Sequence, residues 1–454
     1  MTALLLRRAA VRPGREVDLL VVDGHLAAGP VPVDAHVVDL AGRPVLPGLA
    51  DHHVHLMALA AGWDSVDLSP PALAAGGGLD AVLATARRDR PSGWLRGIGY
   101  DIGASGPLDR RRLDQAGAGP VRVQDRTGSR WVLDGVGLSR VLDGAPEAWP
   151  DGVERDAAGV PTGVLVRLDD WLRRRLAPAV PDLGTVGRWL AGRGVTEVTD
   201  AGAANGRSEL AALAAADLPL RVTAMTGEPD LAPPPGVRLG PVKVLLDDDR
   251  LPPLDALADR IGAARAAGRS VAVHCVTEVQ LVLAVAAGLG PADRIEHATF
   301  VPAGLLDLLA TARPTVVVEP GLVATRGDRY LDDHGPEAWP ALHRLRSLQR
   351  AGLRVAAGTD APYGPADPWV GIAAAVDRRT PSGRVLGAAE ALDDDDAVAL
   401  FTGRSDDPGR GRRLQAGDRA DLVVLDDGWD RVAARPAVLA TLLGGELTAG
   451  CLPG

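Results

Sequence analysis

Eight short apolar runs, the later ones separated by alanine-rich helical stretches, restrict this chain more than any other feature. They fall at residues 45–49, 196–199, 220–223, 242–246, 271–276, 294–297, 315–318 and 354–357. Most are rich in Val, Ile, Leu or Thr and bounded by Gly, Pro or polar residues, the pattern of strands buried on both faces. Helical stretches follow at 254–267, 279–287, 303–309 and 339–351. This alternation predicts an α/β fold, a (β/α)8 TIM barrel, whose working residues gather at the C-terminal ends of the strands.

At 454 residues the chain exceeds one bare barrel. Runs at 3–10, 17–22, 25–28 and 36–40 alternate with turns and lack a helical period, and 420–425 and 438–443 share that texture. The two ends are therefore expected to form one small β-sandwich domain, 1–46 with 405–454, around a barrel spanning 47–404. Residues 64–185 separate the first run from the second, too long for one βα unit. They contain β-like pieces at 94–100, 121–124 and 131–133 and are read as an insertion on the catalytic face. The acids 393–396 precede an apolar stretch, as expected in the first turn of a helix.

An apolar fraction of 46% supports a sizeable core, and a net charge of −10 argues against a broad nucleic-acid or anionic-membrane surface. Two cysteines give no disulfide framework and no Cys-based zinc site. The apolar run near the start is too short for a signal peptide, and no stretch approaches a membrane span. A cytoplasmic location is expected.

Lys243 is the only lysine; every other member of the Lys/Arg set is arginine. A desolvated lysine amine can lose its proton and react, which a guanidinium does not do. Drift, with Asp247, Asp248 or Asp249 as partner, explains a lone lysine equally well. Other runs also end in polar groups. His53 and His55 are spaced so that alternate strand residues point the same way, and two imidazoles can then reach one ion. His274 ends 271–273, His297 ends 294–296, and Asp360 follows 355–359. Each alone reads as a satisfied core group, but six ionisable groups on one rim need partners or metals. His25, His36, His52 and His343 show no convergent partner and read as structural. Cys275 is expected to point away from the site into packing.

Residues 47–55, 93–101, 159–165, 242–247, 271–276, 294–298, 358–362 and 417–425 together resemble the amidohydrolase superfamily of metal-dependent hydrolases. Within it, the chain is similar to the YtcJ-like (amidohydrolase 3) branch, which includes deformylase-type amide hydrolases. The resemblance implies that His53, His55 and Asp360 bind one metal, and His274 and His297 a second. Lys243 would bridge them as a carbamate, formed when a neutral amine adds CO2. Two zinc ions are implied, with manganese, iron or nickel as alternatives. The implied reaction cleaves a C–N bond of a small amide, N-acyl or N-formyl compound by a metal-activated hydroxide, Asp360 serving as general acid/base. Alternatives are a mononuclear deaminase or cyclic-amide hydrolase of the same superfamily, and a catalytically inactive scaffold. The expected partner is a small-molecule substrate, with no nucleic acid or membrane; a homodimer is allowed.

The chain departs from the branch at several positions. Ser129 stands where a histidine is usual, Thr359 where serine is usual, Glu319 where glutamine is common, and Arg167 where glutamate is frequent. These differences are expected to face substrate. Trp94, Ser129, Arg326 and His334 are the candidate substrate contacts. Arg326, Asp328 and His334 read as part of a loop after the seventh run. Trp63, Trp94 and Trp131 are candidate pocket walls, with core packing as the ordinary alternative.

Overall fold

A computed structural model describes residues 3–142, 149–176 and 180–453. The chain divides into two compact units, Met1–Ala58 with Leu183–Gly454, and Leu59–Asp182. The first unit is built on eight parallel strands in chain order: β1 Leu49–Val54, β2 Val195–Asp200, β3 Arg221–Thr226, β4 Val237–Val244, β5 Val271–Cys275, β6 Arg294–His297, β7 Thr315–Val318 and β8 Arg354–Ala357. Strands such as β1, β2, β6 and β7 are buried at every residue, as expected where both faces are covered. The chain just after β8 returns to β1: Asp360 N donates to His53 O at 2.7 Å and His55 N to Ala361 O at 2.9 Å. The result is a nearly closed (β/α)8 barrel.

Helices between the strands start where the sequence supplies caps. Thr277 and Gln280 form a capping box for Glu278–Ala286. Asp393 accepts from Asp396 N at the head of Asp394–Ala399, as the acidic run predicts. Among the described residues, no helix is long and apolar enough to cross a membrane.

Both chain ends pack together in this unit. His25–Ala27, Arg15–Val22, Ala3–Arg12 and His36–Asp39 form one four-stranded sheet, and Glu446–Gly450, Val438–Leu443, Leu422–Leu425 and Val45–Pro47 another. Leu6, Val21, Leu40, Val45, Leu422, Val424 and Leu442 share one buried core between them. Full burial of side chains this size is worth ~1.5–3 kcal/mol each, so the two ends hold each other in place.

Three sequence expectations need correction. The run at 45–49 is not one strand. Val45–Pro47 pairs antiparallel with Leu422–Leu425, whereas Leu49–Val54 pairs with β2 in the barrel. The switch falls at Gly48, where an added Cβ would lie 2.4 Å from the Thr196 side chain. His53 is consequently inside the first barrel strand rather than after it. Residues 339–351 are not one helix either. A 3-10 turn at Trp339–Ala341 and a short helix Arg346–Arg350 flank His343, whose φ is 47°. Arg378 Nη2 binds His343 O at 2.8 Å and Arg344 Nε binds Val301 O at 2.6 Å, so tertiary partners replace the helical ladder there. Conversely, Arg326 and Asp328 lie on a helix, Gly321–Asp333, not a loop. Its interior glycine and many charges obscure a buried face of Leu322, Val323 and Leu331.

The second unit carries a six-stranded sheet in the order Val153–Arg155, Pro161–Val166, Arg130–Leu133, Val121–Asp125, Leu95–Tyr100, Val66–Asp67. Leu95, Val121, Val123 and Val132 face one core with Leu83 and Leu113. Trp131, Leu133 and Leu165 face another with Trp171 and Leu172. This two-sided alternation is the period of a sheet covered on both faces. Residues 143–148 and 177–179 of the expected insertion lie outside the described residues.

Candidate metal centre

The C-terminal ends of the barrel strands bring the six nominated residues together. On β1, His53 points into the barrel, and His55 follows two residues later. His55 Nε2 lies 3.2 Å and His53 Nε2 3.6 Å from Asp360 Oδ1. These three residues each offer one ligand atom, all within 4.8 Å of one another, a group that could hold a metal ion. Lys243, next to last on β4, places Nζ 3.4 Å from His53 Nε2. The His297 ring centre is 4.8 Å from that of His53 and 4.4 Å from that of His274. The side chains of His55 and Asp360 keep 24% and 13% of their surface, which marks the side open to solvent.

Backbone conformation also singles out these strand ends. His297 has φ 74° and Asp360 φ 52°. The left-handed region is unfavourable for L-residues by ~1 kcal/mol or more, and such strain concentrates at functional sites.

Burial sets the protonation states. It pushes His274 down to about 3 and, against the charge of Asp360, His297 to about 4, so both rings are neutral at pH 7. Burial likewise lowers the Lys243 amine, although Glu296 and Asp360 oppose the shift. Burial alone would raise Asp360, but the hydrogen bond from His55 and the neighbouring imidazoles of His297 and His53 hold it below the usual carboxylate range.

Carboxylates that the sequence reading did not nominate for this role support these rings. Glu296 Oε2 meets His53 Nδ1, and Glu319 Oε2 lies 2.9 Å from His297 Nδ1. A carboxylate on Nδ1 fixes the tautomer and leaves Nε2 with its lone pair for a metal. Glu296 is ion-paired with Arg294 Nε at 2.8 Å. Burial would raise Glu296, yet Arg294 and His53 hold it well below its ordinary value. Glu319 is raised well above its ordinary value by burial and then by Asp360 and Glu296. Asp51 accepts from Thr359 N at 3.0 Å, Thr359 Oγ1 at 2.5 Å and His53 N at 3.1 Å, tying β1 to the segment that carries Asp360. Burial lifts Asp51 to about 6. No local spacing signals these partners. Glu319 was expected to face substrate; it is instead buried behind His297.

The candidate substrate contacts divide. Arg326 hydrogen-bonds Tyr363 O, and the Tyr363 ring stands edge-on to His55 at 5.4 Å. Tyr363, 48% exposed, is an aromatic beside His55 that the sequence reading missed. His334 ends the Gly321–Asp333 helix, with Nδ1 3.0 Å from Tyr330 O and its ring stacked on Phe300. Trp94 and Ser129 belong to the second unit. Trp94 packs on the Trp131 cluster, and Ser129 Oγ lies 2.8 Å from Thr127 Oγ1. Cys275 is buried in packing. His52 and His343 are buried outside the ligand group, as their structural reading requires.

The donor chemistry fits a metal. Neutral imidazoles and an ionised carboxylate converge at strand ends, and outer carboxylates orient the rings. Lys243 is buried, and among the described residues His53 Nε2 is the one hydrogen-bond contact of its Nζ.

Residues 36–449 match the amidohydrolase family, to which the chain therefore belongs. It is a hydrolase of the class that acts on C–N bonds. The chain is 29% identical to an N-substituted formamide deformylase of Arthrobacter pascens, over 87% of this chain and 85% of that one. It is 28% identical to the amidohydrolase YtcJ of Bacillus subtilis (strain 168), over 41% of this chain and 38% of the other. An uncharacterized metal-dependent hydrolase from Pyrococcus horikoshii has the same fold, with a TM-score of 0.76 at 22% identity, covering 94% of this chain and 97% of that one.

Proposed function

We propose that this protein hydrolyses the C–N bond of a small amide, with N-formyl and N-acyl amines as the leading substrate class, at a binuclear metal centre. The observation that carries the reading is Lys243: a buried amine, 3.4 Å from a ligand histidine, on the rim shared by His53, His55, His274, His297 and Asp360. The similarity to a formamide deformylase supports the substrate class.

His53, His55 and Asp360 would hold one metal, His274 and His297 a second, and Lys243 would be shared as a carbamate. Zinc suits this donor set, with manganese, iron or nickel as alternatives. Bound divalent cations supply Lewis acidity, which polarises a carbonyl and acidifies water. Desolvation favours the neutral amine that carbamate formation requires, and a guanidinium has no equivalent reaction. Asp360, ionised and partly open to solvent, accepts the proton of the attacking water. It then returns that proton to the leaving amine nitrogen, the general acid/base role. Substrate contact is assigned to Arg326 with Tyr363, and more loosely to His334.

A mononuclear reading is favoured by one observation, the self-sufficient His53–His55–Asp360 group. Metal content separates the two: about two equivalents per chain supports the binuclear reading and one supports the alternative. Supplying 13C-bicarbonate should give a carbamate carbon resonance in the wild type and none in Lys243→Arg. Screening N-formyl, N-acyl and carbamate compounds against the zinc- or manganese-loaded enzyme tests the substrate class. No turnover of any of them would refute it.

A further inference from the structure

Strand Val121–Asp125 of the second unit buries Val121 and Val123 on one side and carries Arg122 and Gln124 on the other. Arg96, on Leu95–Tyr100, is the direct parallel neighbour of Arg122. Like charges at paired positions repel. Both guanidinium groups also lean over one indole: Cζ of Arg96 is 5.5 Å and Cζ of Arg122 5.4 Å from the Trp131 ring centre. A second indole, Trp94, flanks Arg122 at 6.0 Å.

Among the described residues, no carboxylate pairs with Arg122. Arg96 bonds Gln124 Oε1 at 3.1 Å and Ser65 Oγ at 3.4 Å. Asp169 accepts from Trp131 Nε1 at 2.8 Å. Arg122 forms no ion pair with any described carboxylate, and its Nε is sealed from solvent without a hydrogen bond. Arg122 as a whole is only half-buried, so part of it stays accessible to a ligand. Burial and then Arg96 push Arg122 down to about 10, which leaves it cationic at neutral pH. In a chain of net charge −10, two neighbouring cations held beside indoles are not a consequence of general basicity. Buried charges are normally paired, and an orphaned one signals a missing ion or ligand.

We infer that Arg122, with Arg96 beside it, forms a binding site for the carboxylate of a small planar acid, flanked by the indoles of Trp94 and Trp131. The guanidinium edge matches a carboxylate with two parallel hydrogen bonds. The indole of Trp94, itself half-buried, favours a planar apolar body over a strongly hydrated anion such as phosphate. This site does not depend on the metal centre or on the reading of its chemistry.

Titration calorimetry on the metal-loaded full chain tests the inference, with benzoate, benzamide and inorganic phosphate as probes. Saturable binding of benzoate is expected, without binding of neutral benzamide and with weaker binding of phosphate. Arg122→Gln should weaken benzoate at least tenfold. Equal affinity in that variant would locate the carboxylate elsewhere, for example at the metals, and overturn the proposal. Preference for phosphate, or binding of benzamide, would overturn it as well. Should Arg122→Gln fail to fold, Arg122→Lys keeps the charge without the planar fork. It should weaken benzoate several-fold, and unchanged affinity there refutes the site.

Discussion

Glu319 Oε2 lies 2.9 Å from Nδ1 of His297, so a buried carboxylate orients a ring whose other nitrogen faces the strand-end cluster. Glutamine at this position can still accept from Nδ1–H through its amide oxygen; alanine cannot. Glu319→Ala is therefore expected to weaken metal binding by about 10–100-fold, the usual range for such outer partners, and Glu319→Gln by less. Competition with a chelator gives both numbers. Equal losses in the two variants would mean that charge, not ring orientation, is the contribution of Glu319.

Lys243→Arg keeps a positive charge yet should abolish activity and reduce bound metal to about one equivalent or none. Elemental analysis beside an activity assay checks this. Wild-type metal content and turnover in the variant would rule out a ligand role for the amine.

Gly358 sits against β1, where an added Cβ would come 2.5 Å from both the backbone N and the Cβ of His53. Backbone cannot yield as a flexible side chain does, so Gly358→Ala must displace His53 or the β8 end. The expected cost is about 1–3 kcal/mol of stability, together with reduced metal content. Thermal unfolding and metal analysis on the same sample test the two effects together.

His343 is buried with Nε2 unpartnered, and burial followed by the charge of Arg378 pushes it down to about 3. Its ordinary value in the unfolded chain is near 6.5. Between those values the unfolded chain binds the extra proton, so stability is present above about pH 6.5 and is lost as pH falls toward 3. Replacing this ring by His343→Phe should remove about one proton from the pH slope of stability, roughly 1.4 kcal/mol per pH unit. Urea midpoints of variant and wild type between pH 6 and 4 give the difference, in which metal-linked protons common to both cancel. Parallel curves would show that His343 does not titrate in this range.

Ser129 holds Thr127 Oγ1 at 2.8 Å in the second unit. Ser129→His is expected to change the relative KM values of N-formyl and N-acyl substrates while leaving metal content unchanged. Loss of metal in this variant would show that the position acts on the metal centre rather than on substrate.

Much of the barrel was legible because its signals are local. Buried parallel strands write themselves as short apolar runs, and β6, β7 and β8 fall at the residues those runs predict. The convergence of the nominated residues was legible for the same reason: each polar group interrupts or closes a run at a strand's C-terminal end. Where the chain changes partner, the pattern misleads. Val45–Leu49 reads as one run, yet Gly48 hands the chain from one sheet to another, and only pairing with Leu422–Leu425 decides that.

The sequence by itself determined the strand–helix order, the donor types available at the strand ends and the solitary lysine at position 243. Tertiary structure alone decided which groups support them. Glu296 reaches His53 across 243 positions and Asp51 reaches Thr359 across 308. Arg96 and Arg122 become neighbours only when their strands pair. A carboxylate or guanidinium carries no mark of its partner in the chain. Its role is set when burial removes water and makes the nearest opposite charge or hydrogen-bond partner decisive.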